Sequence, residues 1–486
     1  MEQQKVLFSE DFKDNSNKWL EKTEPALLQV DVENQCYKLF NKTDKSLKTY
    51  LKPEVDLPDA YQIKFIIEYL SGTSTNGLNL IFNRKADQSH LSITLSPNGK
   101  FNLWRRISMS KGEFAHPWTH TPHINKDFNI KNEVLVKVWP DHFAFYINGS
   151  EVAKLSEKPI DNPTFGFLVP KKVETVVHSV EIFETSETEI EALEKARAAV
   201  LGEAILKLDE MVGMPKIKEQ IRTLTNMIRV QKKRDELGMS KSQVGNHMVL
   251  LGPPGTGKTT VARILGEIFK NLGVLSNGHV IETDRAGLVA EFIGQTAPKV
   301  EKIVNEAKGG ILFIDEAYTL KREGGSGRDF GQEAIDTLMK RMEDDREDFI
   351  VVIAGYENKM SAFLNSNPGI QSRFNHKFEF IDYNPQELLE IFKYLTEEAH
   401  YKLKEATEVK ALEHLTSAYK NRSNSFGNGR YTRNMLESMI QNQANRLASD
   451  PDLDADEVTY FEPEDVPEEL LSGTEIKPID ESNQYL

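Results

Sequence analysis

The sequence predicts two folds in one chain of 486 residues: an all-β sandwich or jelly roll over 1–184, and an α/β core with a parallel sheet over 206–385, followed by helices to 448. Three observations carry this. Short apolar runs punctuated by turn residues fill the first part. After residue 206, apolar strand-like runs alternate with amphipathic segments, the pattern of a parallel sheet covered by helices on both faces. A glycine-rich motif, GPPGTGKT at 252–259, sits between one such strand and one such helix.

The strands expected in the first part are 60–69, 77–82, 90–95, 100–105, 133–139, 142–147 and 177–183. Turn signals separate them at Ser71-Gly72, Asn98-Gly99 and Asn148-Gly149. Asn-Gly between apolar runs favours a tight hairpin, because both residues accept positive φ. Residues 185–205 change character: Ile190, Leu193, Ala196 and Val200 recur at helical spacing, with Thr185 or Ser186 placed to cap, so a helical linker is predicted. Strands of the second fold are expected at 248–251, 280–281, 311–314, 349–354 and 378–381, and a helical lid at 386–448.

Composition narrows the class. Hydrophobic residues make up 39% and charged residues 28%, enough apolar material for real cores. Net charge is −15, and 450–486 holds 13 acidic residues against Lys477 alone. That segment, 449–486, is expected to be an acidic disordered tail. A basic nucleic-acid-binding face is not what this balance predicts. The single cysteine, Cys36, permits neither an intramolecular disulfide nor a cysteine zinc site. The polar N-terminus and the lack of any run of about 18 apolar residues predict no membrane span and a cytoplasmic protein.

The chemistry converges on one nucleotide site. Glycines let the backbone wrap phosphates, and the following helix adds its positive end, so Gly252, Pro253, Pro254, Gly255, Thr256, Gly257, Lys258, Thr259 and Thr260 form a candidate ATP cradle. Lys258 would reach the β- and γ-phosphates, and the Thr259 hydroxyl would bind Mg²⁺. In ILFIDE (311–316), a buried strand ends in two carboxylates: Asp315 to hold the Mg²⁺ hydration shell, Glu316 to polarise the attacking water.

The motif order resembles the AAA+ ATPases, and most of all the CbbX/CfxQ subfamily that includes red-type Rubisco activases. The residues carrying it are LDEMVGMPKIKEQI (208–221), GPPGTGKTTVAR (252–263), FIGQTAPKV (292–300), GGILFIDEAY (309–318), GQEAIDTLMKRME (331–343), IAGYENKM (353–360), SNPGIQSRF (366–374) and FGNGRYTRNMLE (426–437). The resemblance implies a hexameric ring with ATP sites at subunit interfaces. It places Arg373 as an arginine finger acting in trans, with Gln371 where a second arginine is often found. It places Arg430 as the sensor-2 arginine of the lid, with Arg433 a weaker candidate. Tyr356 stands where many relatives carry a sensor-1 Asn, leaving that role to another residue such as Asn358. Phe292, Ile293 and Gly294 fall at the pore loop that grips a polypeptide, and the glycine-rich 323–327 is a candidate second loop.

FSEDFKDNSNKW and FYINGSEV resemble laminin-G/concanavalin-like jelly-roll modules, which bind glycans or proteins. Together these readings predict an ATP-driven ring ATPase that remodels a protein partner recruited by the sandwich. Two alternatives stand beside it: a Rubisco-activase-like chaperone, and a glycan- or ligand-binding sensor whose assembly is switched by ATP.

Overall fold

A computed structural model describes residues 5–468 apart from 23–25, 42–46, 53–54, 73–76, 86–88, 109–110, 127, 161–162, 170–172, 238, 240–244, 293, 322–329, 347, 367 and 449–451. Ile293, the loop at 323–327 and the tail beyond 468 thus lie outside the described residues. The chain divides into two units, Met1–Ala196 and Arg197–Leu486.

Alternating apolar residues on antiparallel strands build the first unit from two sheets. One runs, among the described residues, in the order Ser150–Leu155, Phe143–Ile147, Lys131–Val138, Tyr61–Gly72, Val173–Glu184, Cys36–Asn41, Ala26–Asp31, with Val6–Glu10 also on Val173–Glu184. The other runs Leu47–Leu51, Thr164–Val169, Leu78–Arg84, His90–Ser96, Lys100–Arg106, Gly112–His120. Side chains from both sheets share one core, in which the Phe65 and Phe167 rings meet edge-to-face at 6.2 Å. The Asn148-Gly149 turn has φ 48° and 81°, as a two-residue hairpin requires. Ser71-Gly72 is not itself a turn but the last two residues of the strand Tyr61–Gly72, paired with Glu174 and Val173. Gly112–His120 escaped the sequence reading because it is an edge strand, largely exposed, with Pro117 and two register shifts against its neighbour.

The linker helix is longer than predicted, Glu187–Glu210, with Glu189 N–H donating to the Ser186 hydroxyl at 3.3 Å. Its buried residues are Leu201, Ala204 and Leu208, while Val200, expected in the apolar stripe, is exposed.

In the second unit five strands are all parallel, in the order Val280–Thr283, Ile311–Ile314, Ile350–Gly355, Met248–Leu251, His376–Glu379. The period of two sends Met248, Leu250, Val352 and Ala354 into one core layer, and Val249, Leu251, Val351 and Ile353 into the other. The helices Pro385–Glu398, Glu405–Lys420 and Gly429–Leu447 enclose a separate lid core.

The acidic segment after 448 is a correction. Ala455–Thr459 forms a helix with a capping box, Tyr460–Phe461 pairs in parallel with Lys402–Leu403, and Phe461 and Val466 are buried in the lid core. Asp465 is 1% exposed and accepts from Arg446 Nε and Nη2, both at 2.9 Å. Acidic composition hid three contacts that order this stretch: the ion pair, the buried Phe461 and the caps. Arg446→Ala should leave the Asp465 carboxylate buried and unpaired. Because Arg446 is about a quarter exposed, the expected loss is about 2–3 kcal/mol rather than the full cost of breaking a buried pair, read as a lower urea midpoint.

Candidate active site

The strand Met248–Leu251 is buried at all four positions and delivers the chain to Gly252, whose N–H donates to the Gly355 carbonyl at 3.1 Å. The loop then needs backbone that only glycine accepts without strain. Gly255 has φ 71°, and a Cβ there would lie 1.9 Å from the Gly427 carbonyl oxygen. Gly257 has φ 89° and caps the helix Lys258–Asn271 with no side chain over the first turn. The orphan N–H groups of that turn can therefore serve an anion.

A cavity of about 980 Å³ opens here. Gly252, Pro254, Gly255, Gly257, Lys258, Thr259, Thr260, Asp315, Glu316 and Arg430 line it, as does Arg433. Pro253 and Thr256 do not. The Thr256 hydroxyl donates to the Pro253 carbonyl at 2.8 Å, so the two brace the loop from behind. Lys258 Nζ donates to the Gly252 and Pro253 carbonyls at 3.0 and 2.6 Å. Burial, and then the Arg430 charge, push its ammonium down to about 8, against the opposing pull of Asp315 and Glu316. Between pH 8 and 10.5 the fold thus binds fewer protons here than the unfolded chain, so this group's penalty eases as pH rises and is fully in place below 8.

Asp315 N–H donates to the Thr283 carbonyl at 2.9 Å, and its Oδ1 accepts from Glu316 N–H at 3.0 Å. Glu316 sits at φ 46°, a left-handed turn that swings it off the strand end into the cavity. The Tyr318 hydroxyl bonds Glu316, and burial together with that carboxylate holds it protonated well above the usual range. Tyr356 lines the cavity; Asn358 is exposed on the helix Glu357–Asn365 and does not. The donor set fits a nucleoside triphosphate with Mg²⁺: a glycine cradle that a Cβ would fill, a lysine and an arginine, and a hydroxyl and a carboxylate of the kinds a hard cation takes.

Arg373 lies elsewhere. Its Nη1 donates to the Gly369 carbonyl at 3.1 Å and its Nη2 to Glu343 at 3.2 Å, and it is absent from the cavity wall. Phe292 is 65% exposed, so it is no core residue, and Gly294 has φ 78° with open space around it.

Sequence reasoning missed the joint between loop and lid. Asn428 is fully buried; its Oδ1 accepts from Tyr383 N–H at 3.0 Å, and its Nδ2 donates to Asp382 at 2.8 Å and to the Pro254 carbonyl at 3.3 Å. Tyr383 OH donates to the Thr256 carbonyl at 3.2 Å, and Gly429 N–H to the Gly255 carbonyl at 3.1 Å. Met211, Tyr383, Ile391, Tyr394 and Leu395 give the cavity an apolar end that suits a base. The only signal for Asn428 was its place in the quoted GNGR segment.

A model of the ATPase family associated with various cellular activities (AAA) matches residues 248–382, and one of the AAA lid domain matches residues 384–475. Stage V sporulation protein K of Bacillus subtilis is 45% identical over 259 residues, 53% of this chain and 80% of that protein. The chloroplastic ribulose bisphosphate carboxylase/oxygenase activase of Cyanidioschyzon merolae is 39% identical over 269 residues, 55% of this chain and 91% of that protein. The ESX-1 secretion system protein EccA1 of Mycolicibacterium smegmatis is 42% identical over 270 residues, 54% of this chain, which spans only 46% of that protein's length.

Two outcomes are expected. A phosphate bound against Lys258 demands the charged ammonium, so binding at pH 8 should take up about half a proton per site. Calorimetry in buffers of differing ionisation enthalpy reads this uptake, and Lys258→Arg should abolish it. Asn428→Ala leaves the Tyr383 N–H and the Pro254 carbonyl without this partner and takes one bond from Asp382, which keeps Arg422, and should cost about 2 kcal/mol in urea unfolding and weaken nucleotide binding.

Proposed function

The chain belongs to the ATPases associated with various cellular activities, and from that premise we propose that it works as a ring, a hexamer, in which ATP hydrolysis at subunit interfaces remodels a protein partner. Its ATPase chemistry follows from the site. Lys258, the loop N–H groups and Arg430 would bind and close on the phosphates. Thr259 and Asp315 would hold Mg²⁺, which supplies charge neutralisation at the phosphates, and Glu316 would take the proton of the attacking water.

One observation carries the ring. Every charged group the reaction needs lines this chain's own cavity except Arg373, which is tied to Glu343 and Gly369 outside it. A guanidinium so placed is available to a neighbour's γ-phosphate rather than its own. The exposed Phe292 supports contact with an extended polypeptide at the ring's pore. The sandwich is read as the recruiting module. A pure binding switch is the weaker reading, because a catalytic carboxylate reaches the cavity.

Specific ATPase activity should rise with protein concentration in the wild type and stay near background in Arg373→Ala, measured as phosphate release per subunit. A flat profile that the substitution leaves unchanged overturns the trans assignment. Glu316→Gln should cut turnover by at least about 100-fold while nucleotide still binds. Phe292→Ala should retain hydrolysis and lose partner remodelling.

A further inference from the structure

His247 stands one residue before the strand Met248–Leu251, at the end opposite the phosphate loop. The parallel ladder with Ile350–Gly355 begins with Met248 opposite Val352. One residue earlier, the Val351 N–H donates to His247 Nδ1 at 3.0 Å, so a side chain continues the ladder where backbone pairing stops. The ring is 5% exposed and packs against two others, its centroid 6.3 Å from that of Phe349 and 6.1 Å from that of Phe374. Nδ1 can accept only in a neutral imidazole whose proton sits on Nε2. Burial, and next the Arg373 charge, push the imidazole down to about 4, while its hydrogen bond to the Met342 carbonyl opposes them. The ring is therefore neutral near pH 7.

The groups that His247 touches are chain neighbours of one assembly. Phe374 follows Arg373, and Met342 precedes Glu343, the carboxylate that accepts from Arg373 Nη2. Arg373 has little else to fix it. Its Nη1 bond goes to Gly369 of its own six-residue helix. The Glu343 carboxylate is 62% exposed, so water competes for the Nη2 bond. The Arg373 Nε is buried with no hydrogen-bond partner among the described residues. The packed residues beneath the guanidinium, more than its own bonds, thus decide where it stands. Histidine suits that floor because one buried side chain supplies an acceptor for a strand N–H, a donor for a carbonyl and a flat ring for aromatic contact. Phenylalanine would keep only the ring, and asparagine only the acceptor.

We propose that His247 is a positioning residue for Arg373: it ties the Arg373–Phe374 step and the Met342–Glu343 step to the root of the phosphate-loop strand, and so holds the guanidinium in place for a neighbour's γ-phosphate. This role rests on the trans action proposed for Arg373 and adds the residue that secures it. A shift of about 1 Å in a reacting group can cost about 100-fold, so a modest repacking at His247 is enough to disable the finger.

The test mixes full-length chains that cannot turn over alone. Glu316→Gln lacks the base and keeps the finger; Arg373→Ala lacks the finger and keeps the base. Co-assembly is checked by pulling down one tagged chain. Phosphate release should reappear in the mixture, from sites where one chain's finger meets the other's base. His247→Phe added to the Glu316→Gln chain should cut that recovered rate about tenfold or more, with KM for ATP little changed. Added to the Arg373→Ala chain, which has no finger to place, it should cost far less. His247→Asn, whose side-chain oxygen can keep the Val351 bond, guards against a folding failure and should show the same one-sided loss. An equal or larger loss from the Arg373→Ala side means a structural part only and overturns the proposal, as does a Glu316→Gln side that loses nothing. Co-assembled chains that recover no activity overturn the trans action of Arg373, and the role of His247 with it.

Discussion

Two backbones touching without side chains between them set the terms for the ATPase half. The Gly255 Cα faces the Gly427 carbonyl at a distance no Cβ could share. Everything in the cavity depends on that approach. It lets Gly429 N–H reach the Gly255 carbonyl, puts Asn428 under the loop and brings Arg430 into the cavity with Lys258. The loop that wraps phosphates and the lid are therefore one hydrogen-bonded piece, with the buried side chains of Asn428 and Tyr383 both reaching from lid core to loop. A lid that shifts must drag or release Pro254 and Tyr383. Loop and lid are thus joined by contiguous bonds.

The electrostatics follow from the same packing. Lys258 is buried beside a second cation, and two carbonyls of its own loop accept from its ammonium. Carbonyl dipoles satisfy its donors but cannot cancel its charge, so the fold holds the ammonium at a disadvantage that a bound triphosphate would remove. Binding energy and local stability come from one term, which explains why a loop under such strain of charge is held on both sides, by Gly355 at its start and Tyr383 at its end.

What the sequence made legible divides along physical lines. The phosphate loop and the Asp315-Glu316 pair could be read because their chemistry is local: spacing alone sets which groups meet. The strands at 90–95 and 142–147 could be read because both neighbours are paired and alternation is strong. The edge strand Gly112–His120 could not, since half its residues face solvent and its pattern is blurred by bulges. Asn428 looked like any turn asparagine, because what makes it special is a carbonyl 174 residues away in the chain. Asp465 was hidden for a related reason: an acidic run predicts solvation, and only Arg446 across the lid makes one of those acids a buried partner.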